Sequence, residues 1–154
     1  RGIRVIPIPG PSALIAALSA SGIACHHFSF EGFLPVKVQA REQILKLLES
    51  EKRTLIFYEA PHRILATIES MRHILGEDRQ ICLAKELTKQ FEKIVLGTIN
   101  EIYSLLQKDS HLQQGEFVII VSAKPEIDEK EDDLLTNKVN IEPLVLLKEL
   151  IPIM

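Results

Sequence analysis

Hydrophobic residues recur along this chain with two spacings, and the two spacings alternate up to about residue 122. Short apolar runs, of which residues 54–58 (TLIFY) are the clearest, predict strands that are covered on both faces of a sheet. Longer segments place apolar residues three and four positions apart and predict amphipathic helices. The predicted strands are residues 3–8, 28–30, 54–58, 81–85, 93–97 and 117–122. The predicted helices are residues 12–21, 37–50, 61–75 and a segment that begins near Asn100.

This alternation favours an α/β fold, a three-layer domain in which helices flank a mixed sheet. The sheet is expected to be mixed because only a short polar segment joins the strands at residues 81–85 and 93–97. Such a link is too short for a crossover helix, so these two strands are expected to pair antiparallel.

Two details of the helices follow from the same pattern. Asn100 is expected to cap the helix that holds Ile102 and Leu106, because a short polar side chain can accept a hydrogen bond from the first helical N–H groups. The helix over residues 37–50 is expected to bury one apolar face. Its members are Ile44, Leu45, Leu47 and Leu48.

Charge divides the chain into two parts. The 154 residues carry 18 basic and 21 acidic side chains, a net charge of −3. Residues 126–154 contain eight of the acidic and three of the basic residues, so the preceding part is nearly neutral. We expect an α/β domain over residues 1–125, an acidic linker over residues 126–140 and the start of a truncated helical extension over residues 141–154. Because the sequence opens directly on a strand, a further domain is expected to precede it.

Composition excludes several classes of protein. With 46% hydrophobic and 25% charged residues the chain is not a disordered protein. No run of about 18 apolar residues and no signal segment occurs, so a cytoplasmic protein without a membrane span is expected. Cys25 and Cys82 form no CxxC pair, and Cys25 with the two histidines after it would alternate between the faces of a strand, so no metal site is predicted. The low aromatic content, 5%, argues against a broad base-stacking platform.

Three segments place polar residues at the ends of predicted strands, where ligands of open α/β sheets collect. They are residues 8–13 (IPGPSA), 58–63 (YEAPHR) and 84–92 (AKELTKQFE). The first would aim backbone N–H groups and a serine hydroxyl at a carboxylate or phosphate. The second combines a carboxylate that could act as a base with an arginine that could clamp a phosphate. The third offers lysines for phosphate groups.

Each segment also has a purely structural interpretation, and the pattern alone leaves both open. Ser12 could be only a helix cap after a Pro-Gly turn. Glu59 could only complement a helix dipole, and Arg63 could form only a surface ion pair. Residues 84–92 could be a solvated hairpin loop. The sequence contains no Walker loop, GxSxG elbow, HExxH motif or dinucleotide-binding glycine fingerprint.

Taken together, these segments resemble the tetrapyrrole-methylase superfamily. Residues 9–13 (PGPSA) followed by residues 21–23 (SGI) are similar to its GPSA…SG element. Three further elements resemble one bacterial branch, the methyltransferases of small-subunit ribosomal RNA. They are residues 31–35 (EGFLP) with Lys37 and Arg41, residues 54–63 (TLIFYEAPHR), and residues 84–89 (AKELTK) with Glu92. Lys85 departs from the arginine that this branch more often has, which keeps the charge but not the bidentate fork.

The resemblance implies transfer of a methyl group from S-adenosylmethionine to the ribose 2′-hydroxyl of a cytidine in small-subunit (16S) ribosomal RNA. It implies two α/β domains with the methyl donor between them, of which this chain would be the second, inactive alone. The implied partners are small-subunit ribosomal RNA or the 30S subunit and a second copy in a homodimer. Two alternatives stay open, a methyltransferase of tetrapyrrole-type small molecules and a binding module without catalysis.

The resemblance and the chemistry of ribose methylation together assign candidate roles to residues. The catalytic candidates, as acceptors of the hydroxyl proton, are Glu59 and Glu86. The candidates for binding the methyl donor are Pro11, Ser12, Ala13, Glu59, Leu87, Gly115, Glu116 and Phe117. The candidates for binding RNA are Lys37, Arg41, Arg63, Lys85 and Lys89. Gly115 is expected to let the adenine approach the backbone because it has no side chain.

Overall fold

The computed structural model describes residues 5–124, and the predicted acidic linker and helical extension lie outside the described residues. The helices are α1 (Ala13–Ala20), α2 (Val38–Leu48), α3 (Ile64–Leu75) and α4 (Ile99–Lys108), followed by a short 3₁₀ helix (Ser110–Gln113). The strands are β1 (Phe28–Phe33), β2 (Thr54–Glu59), β3 (Gln80–Lys85), β4 (Lys93–Thr98) and β5 (Phe117–Val121). Among the described helices, none combines the length and the apolar composition that crossing a membrane requires.

The described strands form one five-stranded mixed sheet in the order β1-β2-β5-β3-β4. β1 and β2 run parallel, whereas β5 is antiparallel to both of its neighbours, β2 and β3. β3 and β4 pair antiparallel, which confirms the expectation drawn from the short link between them. As a result, β1, β2 and β3 all end at the same edge of the sheet, and β4 and β5 begin there.

Successive side chains of a strand point to opposite faces, and here each face has its own apolar layer. One layer packs Leu55, Leu83 and Ile119 against α2, α3 and α4. The other layer packs Ile56, Cys82 and their neighbours against α1. The helix layers on the two faces confirm the predicted three-layer α/β domain, although a single eight-residue helix forms one of them.

The apolar face of α2 differs from the prediction. Leu45 is buried, but Ile44 and Leu47 are exposed, and Arg41 takes the second buried position of the helix. Leu45 and Arg41 are four residues apart and therefore lie on one face, which packs against α3. Apolar spacing gave the helix correctly, and packing against α3 decided which face became buried.

Two other local expectations are corrected by the structure. The described part of the first predicted strand, residues 5–8, is not in a strand and is exposed, because none of the five described strands pairs with it. The cap of α4 is Thr98 rather than Asn100: its hydroxyl accepts from the backbone N–H of Glu101, whose carboxylate accepts from the Thr98 N–H. This reciprocal pair is a capping box, and the sequence T-x-x-E is its signature.

Candidate functional site

A cleft of about 470 Å³ opens where β1, β2 and β3 end, on the face of the sheet that α1 covers. Five separate segments of the chain form its walls: the start of α1, the end of β1, the β2–α3 turn, the loop after β3 and the start of β5. The residues that line it are Ala13, Phe33, Tyr58, Glu59, Ala60, Pro61, Leu87, Glu116, Phe117 and Val118. The three motif segments singled out in the sequence therefore meet at one place.

An aromatic cluster forms one wall of the cleft. Tyr58 lies between Phe30 and Phe33, with ring centroids 4.9 and 5.8 Å away and both rings nearly edge-on to it. These rings share a face because Phe33 pairs with Tyr58 in the register of the parallel strands. Phe33 is exposed on the side of the cleft, so the wall offers a flat apolar surface to a planar ligand.

Glu59, the last residue of β2, is buried and fully engaged. One of its carboxylate oxygens, Oε1, accepts from the Ala60 N–H at 2.8 Å and lies 3.2 Å from Nε of Arg63. The other, Oε2, accepts from the Thr67 hydroxyl at 2.7 Å and from Nη2 of Arg63 at 3.3 Å. Four contacts to one buried carboxylate fix the turn between β2 and α3, which forms the floor of the cleft.

Arg63 extends this network to the neighbouring strand. Its Nη2 donates to the backbone carbonyl of Leu34, just after β1, in addition to the contacts with Glu59. Only 14% of the side chain is exposed. The guanidinium therefore ties the ends of β1 and β2 together, which is a structural use of the residue predicted to bind RNA.

The loop after β3 is held in an uncommon backbone conformation. Glu86 and Thr88 have φ angles of +51° and +64°, in the left-handed region that few residues other than glycine adopt. Oε1 of Glu86 accepts from the Glu116 N–H at 2.8 Å and from Nζ of Lys89 at 3.0 Å. These two contacts lower the pKa of the Glu86 carboxyl from its ordinary 4.5, so it is ionised near neutral pH.

Gly115 is required at its position for two reasons. Its φ of +95° is one that side chains disfavour, and a Cβ there would lie 2.4 Å from Cγ of Glu86. The Glu86 side chain thus packs against the Cα of Gly115, where any other residue would have its Cβ. On the sequence alone, the adenine of the donor is expected to lie against Gly115. Glu86 and Gly115 form the wall between the cleft and the next surface depression, whereas Leu87 and Glu116 face the cleft.

Three lysines predicted to bind RNA lie in different surroundings. Lys89 pairs with Glu86 at 3.0 Å and with Glu116 at 3.1 Å, and both carboxylates raise its pKa. Lys85 donates from Nζ to the carbonyl of His111 at 2.7 Å. Lys37 is exposed at the N-cap position of α2, away from the residues that line the cleft.

Arg41, which the sequence analysis predicts to bind RNA, is buried between two helices. Arg41 is 3% exposed, and its Nε donates to the Ser70 hydroxyl at 2.9 Å. Its Nη2 donates to the Ala66 carbonyl at 3.2 Å. A guanidinium satisfied between α2 and α3 is not presented to a polyanion. The spacing of residues in the sequence could not reveal the burial of Arg41. An arginine in an amphipathic helix is normally predicted to lie on the face exposed to solvent, because it is charged.

Ser12 and its neighbours lie at the mouth of the cleft, at the start of α1. Ser12 takes the N-cap position, yet its hydroxyl makes no capping hydrogen bond. Pro11 before it is exposed and Ala13 after it lines the cleft. The helix therefore does not use this hydroxyl, which leaves it for a ligand.

The structure adds residues that the sequence analysis did not name as site residues. Phe33, Tyr58, Pro61 and Val118 line the cleft. Phe33 and Tyr58 belong to quoted motifs, but only the register of β1 against β2 puts both rings on one face. Residues 5–124 bring no three His, Cys, Asp or Glu side chains together in a way that would hold a metal ion.

The sequence is similar to curated relatives called ribosomal RNA small subunit methyltransferase I. Identity to the one from Haemophilus influenzae is 50% over 131 residues, which is 85% of this chain and 46% of the relative. Identity to the one from Pseudomonas aeruginosa is 49% over 121 residues, 79% of this chain and 43% of the relative. The match to the one from Pasteurella multocida, at 41% identity, covers 99% of this chain and 53% of the relative. The chain spans about half the length of the curated relatives it matches.

Two solved structures share the fold. The methyltransferase CobJ superposes with a TM-score of 0.55 at 19% identity, over 75% of this chain and 49% of that one. The cobalamin biosynthetic enzyme cobalt precorrin-4 methyltransferase, CbiF, gives a TM-score of 0.55 at 15% identity, over 75% of this chain and 50% of that one. The family model of the Tetrapyrrole (Corrin/Porphyrin) Methylases matches residues 1–103. With two thirds of its length matched by that model, and with a sheet edge that gathers the motif segments around one cleft, the chain belongs to the tetrapyrrole methylase family.

Proposed function

We propose that this chain is part of a methyltransferase that uses S-adenosylmethionine to methylate the ribose 2′-oxygen of a cytidine in small-subunit (16S) ribosomal RNA. The names of relatives at 41–50% identity support an RNA substrate. Since the chain spans about half of those relatives, it contributes one side of the donor site and is inactive by itself. The proposed partners are small-subunit ribosomal RNA or the 30S subunit in the cytoplasm, and a second copy in a homodimer.

The observation that carries the proposal is the cleft at the edge of the sheet. It has about 470 Å³, within the range of about 300–1,000 Å³ typical of small-molecule sites. Five of the predicted donor-binding residues line it: Ala13, Glu59, Leu87, Glu116 and Phe117. No other described depression gathers as many of them.

The lining suits the proposed methyl donor. Phe33, Tyr58, Leu87 and Val118 offer apolar surface to an adenine ring, and Tyr58 and Val118 are direct neighbours across β2 and β5. The carboxylate of Glu116 at the rim complements a cationic sulfonium. The hydroxyl of Ser12, unused by α1, can donate to the carboxylate of the donor. When bound, S-adenosylmethionine supplies a methyl group that is already activated by its sulfonium, so the protein mainly has to position the accepting oxygen.

The two candidate carboxylates differ in what they can do. Glu59 has four contacts and no exposed side-chain surface, so we propose that it positions the β2–α3 turn. Glu86 keeps 19% of its side chain exposed, and its hydrogen bonds to the Glu116 N–H and to Lys89 lower its pKa, so it is ionised near neutral pH. We propose Glu86 as acceptor of the hydroxyl proton because it alone of the two keeps exposed side-chain surface, beside the cleft. The same contacts that lower its pKa make it a weak base.

For RNA binding we propose Lys37, Lys85 and Lys89, with Arg63 in a supporting role. Lys85 and Lys89 brace the loop beside the cleft, and an ammonium with three donors can contact a phosphate while keeping such a contact. Arg63 acts by holding β1 and β2 together. Lys37 provides an exposed charge further along the surface.

The proposed function is tested with the full-length protein that contains this chain. We expect transfer of labelled methyl from S-adenosylmethionine to small-subunit RNA from cells that lack the gene, and mass mapping should locate one ribose methyl on a cytidine. RNA from cells that have the gene is the matched control and should accept no label. Methylation of a base instead of a ribose, or of a tetrapyrrole but not of RNA, would contradict the proposal. Residues 1–154 alone are expected to bind the donor weakly or undetectably in calorimetry.

A further inference from the structure

A second depression, of about 480 Å³, lies on the other side of the loop that follows β3. Its lining consists of Lys85, Glu86, Phe91, His111, Gln114 and Gly115. The donor cleft is lined by the adjacent residues, Leu87 and Glu116. A wall one or two residues thick therefore separates the two depressions. Of the residues that line the second depression, the proposed function uses Lys85 and Glu86 and assigns no role to Phe91 or Gln114.

The dominant feature of this depression is an exposed aromatic ring. Phe91 is 70% exposed, although an aromatic side chain of this size normally lies buried. The other strongly exposed rings of the described chain, Phe28, Phe30 and Phe33, belong to β1 on the far edge of the sheet. Among the described residues, Phe91 is thus the strongly exposed ring on the β3–β4 side of the sheet, with the β1 rings on the opposite side.

The loop that carries Phe91 is braced on both sides of the ring. The N–H of Lys89 donates to the Glu86 carbonyl at 3.0 Å, and the N–H of Glu92 donates to the Lys89 carbonyl at 3.1 Å. The carboxylate of Glu92 accepts from the Thr88 N–H at 2.6 Å. These contacts fix the backbone that carries the ring, which lowers the part of the entropy cost of binding that comes from ordering the loop.

Positive charge lies beside the ring. Lys85 is the basic residue of the lining, and Lys93, which does not line this depression, is its partner across β3 and β4. The carboxylate of Glu86 also belongs to the lining, where its ion pair with Lys89 at 3.0 Å balances its charge. The contact of Lys85 with the His111 carbonyl uses one of its three donors. At the opposite side of the depression, the amide of Gln114 can both donate and accept hydrogen bonds.

We propose that this depression binds one nucleotide of the RNA, with its base stacked on Phe91 and its phosphate on the ammonium group of Lys85. A flat exposed ring, a bifunctional amide and a lysine with donors to spare are groups that recognise an unpaired nucleotide. The inference rests on the proposed function and adds to it a subsite next to the reacting ribose. A single strand that crosses the thin wall places the reacting ribose at the opening of the cleft and the base of a neighbouring nucleotide on Phe91.

The test uses the full-length protein and small-subunit RNA from cells that lack the gene. Phe91→Ala is expected to raise the KM for RNA by about 5- to 150-fold, the effect of losing one stacked base. The dissociation constant for S-adenosylmethionine, measured by calorimetry, should change less than about twofold. Phe91→Trp should restore the KM, because any aromatic ring can stack. Leu47→Ala removes an equally exposed apolar side chain on α2 and should leave every value unchanged.

The outcomes separate this inference from the function on which it rests. An unchanged KM in Phe91→Ala, in a protein that methylates RNA, overturns the subsite and leaves the proposed function standing. A raised KM that Phe91→Trp does not restore, with a lowered melting temperature, also overturns it, since Phe91 would then act only in folding. A wild-type protein that transfers no methyl to RNA overturns both proposals.

Discussion

Glu59 and Glu86 stand at the ends of the two strands that flank β5, and the fold uses the two carboxylates differently. Glu59 is buried under four contacts that tie β2 to α3 and, through Arg63, to β1. Glu86 reaches across to β5 and to Lys89 at the surface. At the scale of single residues, the hydrogen bonds and ion pairs of these two carboxylates thus mainly fix the segments that form the walls of the cleft.

Substitution of Glu59 should reveal its anchoring role. Glu59→Gln removes the charge opposite Arg63 and replaces an acceptor with a donor, so we expect a loss of about 1–3 kcal/mol in the free energy of unfolding. Urea denaturation followed by circular dichroism measures it. Glu51→Gln is the control, because the pair of Glu51 with Arg53 is exposed and its loss should have a much smaller effect. If Glu59→Gln kept its stability but lost methyl transfer, Glu59 would be the base.

The two reasons for glycine at position 115 can be separated. Gly115→Ala combines a disfavoured φ of +95° with a Cβ only 2.4 Å from Glu86, whereas Gly76→Ala has the same φ and open space around the new Cβ. We expect Gly76→Ala to cost about 1–3 kcal/mol from backbone strain alone. Gly115→Ala should cost about 1–3 kcal/mol more from overpacking. Equal losses in thermal or urea unfolding would show that the contact with Glu86 is unimportant.

At the scale of elements, α1 is the least supported helix of the described fold. It has eight residues, and its one fully buried side chain is Ala17. It covers one face of the sheet, whereas three helices cover the other face. Ala17 packs in one cluster with Cys82 of β3, whose thiol is buried. The start of the same helix forms a wall of the cleft, so docking of α1 shapes the candidate site.

Reactivity of the two cysteines reports on this docking. Burial raises the pKa of the Cys82 thiol to about 11, so at pH 8 it stays protonated and covered, whereas Cys25 is half-exposed. We expect iodoacetamide to label Cys25 within minutes to hours and Cys82 only after denaturation, as mass spectrometry of the peptides would show. The denatured chain is the control, in which both cysteines should react. Equal labelling rates in the native protein would mean that α1 leaves the sheet readily.

At the scale of the whole molecule, the mixed topology creates the site. Because β5 is antiparallel to both neighbours, its first residues lie between the last residues of β2 and β3. Phe117 pairs with Glu59 on one side and with Lys85 on the other. Segments separated by as many as a hundred residues of sequence thereby come to border one cleft.

The proposed donor site makes a prediction at this scale. In the full-length protein, Ala13→Leu should fill part of the cleft and weaken binding of S-adenosylmethionine at least about tenfold, with little change in stability because Ala13 is exposed. Ala16→Leu is the matched control, since Ala16 is exposed on the same helix but does not line the cleft. Calorimetry measures both. Equal affinities in the two variants would place the donor elsewhere.

The sequence by itself determined what depends on local spacing. Short apolar runs located the strands from residue 28 onward, although β1 extends to Phe33, through residues predicted as a turn. The short link between β3 and β4 indicated their antiparallel pairing. The motifs pointed to strand ends, because turns between strands and helices carry recognisable polar residues. The Thr98–Glu101 capping box was also readable, although the prediction fell on Asn100.

The tertiary structure decided everything that depends on which surfaces meet. Packing against α3 buried Arg41 and left Ile44 and Leu47 exposed, while residues 5–8, without a partner strand, formed none. Register and strand order brought Phe33, Tyr58 and Phe117 into one cleft. The physical reason is that periodicity specifies that a face is apolar, whereas burial requires another element to cover it, and only the folded chain selects that element.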